Sequence, residues 1–188
     1  MGIAALVICV VFAATIMLLT ALDIADLSRL HIVIAAVVGI AHPVAYLAML
    51  GVLLASRRVG LIPSNRSADR VFSVMRWALI ALLLGMLAAI LAMLIPALAD
   101  PIAIAVTLVF ALAHLMATAF GVTLLRGGTT SRITAGLFIA VVPAIILVVA
   151  VNLAGFEMFP AWFESVMALA FASLAYEVAF RPPGGGPA

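Results

Sequence analysis

Six runs of apolar residues, each about as long as a bilayer is thick, dominate this chain: residues 3–22, 31–55, 72–99, 102–125, 133–154 and 162–180. A helix rising about 1.5 Å per residue needs roughly 20 residues to cross the ~30 Å hydrocarbon layer. A soluble helix would turn a polar face to water every few residues, and these runs do not. The chain is 69% hydrophobic and 9% charged, against roughly half and a quarter in a soluble domain. A domain of 188 residues leaves too much surface in contact with solvent to hide that much apolar sequence from water. The expected fold is therefore all-α: a polytopic membrane helical bundle of about six transmembrane helices. Residues 1–180 form one transmembrane domain, and residues 181–188 form a flexible Pro/Gly-rich tail.

The breaks between the runs carry turn chemistry. Residues 23–29 hold Asp23, Asp26 and Ser28, and residues 56–70 hold Gly60, Pro63, Ser64 and Asn65. Asp100-Pro101 reads as a tight connection, with Pro101 at a helix start where a missing N–H costs nothing. Residues 126–132 form a polar loop between two arginines, and residues 152–160 contain Gly155 and Pro160.

Arginine placement sets the orientation. With six crossings, alternate breaks share a side. Arg57, Arg58, Arg66, Arg70, Arg76, Arg126, Arg132 and Arg181 then fall together, with only Arg29 opposite. Asp23, Asp26, Asp100, Glu157 and Glu164 take the other side. Basic residues stay cytoplasmic, so both termini are expected in the cytoplasm and the protein in a bacterial-type inner membrane. The first run lacks the basic start and cleavage site of a secretion signal and is expected to be a retained helix. Pro43 and Pro143 sit near the middle of the second and fifth runs. This is a weak echo of the inverted three-helix repeats found in transporters.

Several chemistries are excluded early. There is no lysine, so no Schiff base can form. One cysteine, Cys9, supplies neither a disulfide nor a thiolate cluster and reads as a small buried apolar residue. No phosphate loop, nucleophile elbow or paired carboxylates occur. Asn65-Arg66-Ser67 has a glycosylation pattern but falls on the cytoplasmic side. Nucleic acid is not an expected partner, and no catalytic set marks an enzyme.

All sixteen charged residues fall in the breaks or near helix ends, and Glu177 is placed one turn before Arg181 as an interfacial ion pair. Coupled ion transport is thereby disfavoured. The intramembrane ionisable groups are His42 and His114, expected at similar mid-bilayer depth, roughly 16 and 20 Å below the outer surface. An unpaired imidazole in hydrocarbon costs several kcal/mol (on the order of a lost hydrogen bond or more), so each needs a partner. Gly39 and Tyr46 lie near His42 on its helix, and Thr107 and Thr118 near His114. Pro43 releases the Gly39 carbonyl. His31, nearly in line with His42 at the outer boundary, reads as solvated.

Three readings follow. His42 and His114 could be the metal ligands of a b-type haem in an electron-transfer protein, the small residues leaving room for the macrocycle. The histidines with Gly39, Tyr46, Thr107 and Thr118 could instead line a site for a small molecule in a transporter, channel or substrate-binding membrane subunit. Or each imidazole could only bridge helices in a structural subunit. The leading expectation is a small membrane protein within a larger membrane assembly or homo-oligomer, its His42/His114 site holding haem or a small apolar ligand. Small-residue runs at Ala81, Gly85 and Ala89, and at Ala168 and Ala172, suit close helix contact.

Overall fold

A computed structural model describes the backbone of residues 2–21, 30–155 and 162–180, with side chains described outside 18–40, 90–91, 93–94, 96 and 162–163. The elements are α1 (Gly2–Ala21), α2 (Leu30–Arg58), α3 (Arg66–Leu94), a short 3-10 turn (Pro96–Leu98), α4 (Ala99–Gly127), α5 (Arg132–Ile139), α6 (Val141–Leu153) and α7 (Trp162–Phe180). No strand occurs among the described residues. Three segments, Arg66–Ala89, Ala99–Gly127 and Arg132–Leu153, are long and apolar enough to cross a membrane. The tail from 181 on, together with Arg29 and Arg181, lies outside the described residues. So do the side chain of His31 and the surroundings of Gly39.

Helix boundaries follow local chemistry. Asn65 starts α3 ahead of the apolar run, its Oδ1 accepting from the Ala68 N–H at 2.9 Å, as an N-cap does. The turn between α3 and α4 lies at Ile95–Leu98, earlier than the Asp100-Pro101 position expected from sequence. Pro96 cannot continue α3, whereas Pro101 is tolerated because it falls in the first turn of α4. Gly128 ends α4 at φ 61°, its N–H donating to the Leu124 carbonyl at 3.1 Å, the left-handed cap that glycine adopts without strain. The fifth apolar run is two helices with a break at Ala140. Pro43, by contrast, is accommodated within a continuous α2.

The helices close into a ring. α2 packs on α3, α3 on α4, α4 on α5 and α6, and these on α7, which returns to α2; α1 lies outside against α7 and α2. With lipid as solvent the apolar core gains little from hydrophobic transfer, so contact quality holds the ring together. Phe120, Phe138 and Phe171 stack edge to face through the centre, with centroids 5.2 and 5.0 Å apart. Tyr46, Met49, Met75 and Met167 fill around them, all buried. Small residues let backbones meet. A Cβ at Gly121 would stand 2.7 Å from the Ala135 carbonyl oxygen, one at Gly85 2.7 Å from Val106, and one at Gly2 2.8 Å from Ala179. Ala168, Ala172 and Cys9 are buried in the same core.

One end of the bundle is tied together. The Thr129 hydroxyl donates to the Leu61 carbonyl at 2.5 Å, and Arg57 pairs with Asp69. Glu177 caps α5: it accepts from the Ser131 N–H at 3.1 Å and the Ser131 hydroxyl at 2.8 Å, and from Thr134. A carboxylate here meets the unpaired N–H groups and positive end of a helix. The pairing with Arg181 expected for Glu177 lies outside the described residues.

Candidate functional site

His42 stands on the thirteenth position of α2, where its Nε2 lies 2.9 Å from Oε2 of Glu164 on α7. The side chains are 19% and 11% exposed. A carboxylate only accepts, so with Glu164 ionised the bridging proton sits on His42 Nε2. Phe12 of α1 closes the third side, its ring edge-on to the imidazole at 5.0 Å and 85°. α1, α2 and α7 thus converge on one hydrogen-bonded imidazole–carboxylate pair, which a low-dielectric surrounding strengthens.

Tyr46, one turn along α2 from His42, is 1% exposed, and His114 on α4 is fully buried. His114 Nδ1 lies 2.7 Å from the Phe110 carbonyl oxygen. A carbonyl cannot donate, so Nδ1 carries the proton and Nε2 is the lone-pair nitrogen of the neutral ring. The Phe110 ring packs on the same imidazole at 4.1 Å. Beside Glu164, Ser165 is fully buried and its hydroxyl has no hydrogen-bond partner among the described residues, an uncommon state for a native polar group.

The remaining sequence-derived candidates are placed elsewhere. Thr118, one turn beyond His114, donates to the Phe138 carbonyl at 3.3 Å and accepts from the Val142 N–H at 3.2 Å. Those two groups would pair in an unbroken helix, so the Thr118 hydroxyl is inserted at the α5–α6 break. Thr107 is exposed and bonds back to the Ala103 carbonyl at 2.8 Å. It shares His114's face by spacing, but every buried residue of α4 lies at or beyond Ala113. Among the described residues nothing covers the outer half of α4 on that side.

Counted from the arginine end, His42 stands ~24 Å above Arg58 and His114 ~18 Å above Arg126, so His42 is again the shallower of the two, and its partner Glu164 is the third residue of α7.

Sequence reasoning set Glu164 among the outer acids and missed it as a site residue. The available signal was its place inside the last apolar run rather than in the break before it. Among the described residues no three His, Cys, Asp or Glu side chains gather as a metal site. Axial ligation of a haem by the histidine pair would need a lone-pair nitrogen of each imidazole turned to one iron, whereas here His42 Nε2 is engaged with Glu164 at 2.9 Å. Comparison with protein-family models, curated proteins and solved structures finds no match for this chain.

Proposed function

We propose that this is a six-crossing inner-membrane protein, both ends cytoplasmic, that binds a small polar solute in the outer half of its bundle. It would do so as a transporter or as the substrate-binding subunit of a membrane assembly. The observation that carries the reading is the His42–Glu164 pair at 2.9 Å, held between three helices and one helical turn from the buried Tyr46. Ionisable groups inside a membrane bundle are costly and mark functional paths by default. Here an acceptor carboxylate and a buried hydroxyl in the first turn of α7 stand with a donor imidazole N–H and a phenol near the middle of α2. Such a set suits a molecule with both donors and acceptors, and the pair can pass a proton between its members.

The test is a thermal-shift screen of small polar solutes on purified protein, followed by uptake into proteoliposomes. A true substrate stabilises and is taken up by the wild type, and both effects disappear in His42→Ala and Glu164→Gln. If both variants bind and transport as the wild type does, the site is structural. Stability gives an independent check on the pair. Single replacements of His42 and Glu164 by alanine and their combination should give a coupling of about 1–2 kcal/mol in a double-mutant cycle. A visible spectrum separates the haem reading. We expect no Soret band; a Soret band lost in His114→Ala would restore haem binding.

A further inference from the structure

Between α1 and α2, on the outside of the ring, runs a cavity of about 240 Å³ that the candidate site does not use. Its floor is one stripe of α2, with Val44, Ala48, Gly51 and Ala55 in steps of four, three and four residues, and Ile8 and Val178 form part of its walls. Nothing stands within 4 Å of where a Gly51 Cβ would be, so the groove is open there. From Val44 to Ala55 it extends ~16 Å along the helix, about the depth of one leaflet.

The next step of the same stripe is Arg58. It is exposed and, among the described residues, has no carboxylate partner, because the neighbouring Asp69 is held by Arg57. An apolar groove one leaflet long, with an unpaired cation on the same helix face at its inner end, matches an anionic phospholipid. One acyl chain would lie on the small-residue floor and the phosphate would meet the guanidinium. A second copy of the chain fits less well. A two-fold dimer about the membrane normal would set the two stripes against each other, Arg58 facing Arg58.

We propose that the α1–α2 groove is a binding site for one inner-leaflet anionic phospholipid, headed by Arg58. The proposal rests on the membrane orientation given above and not on the His42–Glu164 site.

The test uses the full chain in phosphatidylcholine bilayers. Tracer phosphatidylglycerol carrying a diazirine on its acyl chain is compared with phosphatidylcholine carrying the same label, and cross-links are mapped by mass spectrometry. Both lipids should label the outward residues Leu84 and Leu108, which establishes embedding; no label there overturns the membrane reading itself. Phosphatidylglycerol alone should concentrate on residues 44–55. Arg58→Gln should lower that preference about fivefold, the factor equivalent to ~1 kcal/mol for one arginine at an anionic surface. Gly51→Leu, which has room for its side chain, should cut labelling of the stripe by either lipid. Equal labelling by the two lipids that Arg58→Gln leaves unchanged, or chain-to-chain cross-links through the stripe, would overturn the lipid site.

Discussion

Thr118 shows how much one hydroxyl can decide in this bundle. Pro143 has no N–H for the Ile139 carbonyl, and the chain breaks at Ala140, where the Val142 N–H and Phe138 carbonyl both turn to Thr118. No solvent is at hand inside a bundle to satisfy these groups, so the threonine substitutes for it. Thr118→Val keeps the shape and removes the bonds. It should destabilise the protein by about 1–3 kcal/mol, measured by denaturant titration in detergent, while Thr118→Ser should recover most of the loss. Equal stability of the valine variant would mean that the break needs no bridge. Neither Thr118's bridging role nor Glu164's part in the site could be read from neighbours in sequence, because their partners lie 20 and 122 residues away. The histidines could, since an imidazole in an apolar run is conspicuous wherever its partner comes from.

At the scale of elements, each contact surface is built from a few small residues. At the α4–α5 seam a glycine meets backbone directly. A Cβ at Gly121 would stand 2.7 Å from the Ala135 carbonyl oxygen and 2.8 Å from the Ile139 nitrogen, both backbone atoms that cannot swing aside. Gly121→Ala should therefore force α5 away from α4 at a cost of about 1–3 kcal/mol, visible as a lower midpoint of thermal unfolding in detergent. Gly136→Ala is the control, since nothing lies within 4 Å of its Cβ position, and it should leave the midpoint unchanged or raise it. A larger loss for Gly136→Ala than for Gly121→Ala would show that the seam is not packed this way. The sequence pointed to close contact at Gly85 and Ala168 through their spacing. The partner of Gly121 was not legible, because its spacing is matched by many small residues on α4. Likewise Pro43 and Pro143 look alike in sequence. Only Pro143 sits at a helix break, and there a hydroxyl from a neighbouring helix takes up the broken pair.

For the whole molecule, the decisive asymmetry is between the two ends of the bundle. The arginine end is closed by the Thr129–Leu61 and Ser131–Glu177 contacts and by Gly127, where a Cβ would stand 2.0 Å from Pro63 Cγ. Toward the other end α3 and α4 pair mainly with each other, leaving Leu84, Leu87, Ile104 and Leu108 exposed. In the orientation proposed above from the positive-inside rule, the closed end is the one that faces the cytoplasm. In a Cys9→Ala background, Ser67→Cys and Ser131→Cys should be alkylated only from the cytoplasmic side by an impermeant maleimide. Asp100→Cys and Gly155→Cys should react only from the outside. Labelling of Ser67→Cys and Ser131→Cys from opposite sides would refute the six-crossing arrangement.

What the sequence determined alone is the solvent. Runs of apolar residues this long are stable only as helices, and in oil only helices or closed barrels satisfy their backbones. Helical structure and the gathering of the arginines at one end follow from that composition and from turn chemistry, both local properties of the chain. Tertiary structure decided the partners. It brought Glu164 to His42, turned Thr118 into a bridge at the α5–α6 break, and left Thr107 uncovered. The reason is that a hydrogen bond or ion pair depends on which helices become neighbours and how far each slides along its axis. Apolar runs with nearly uniform faces carry little record of either.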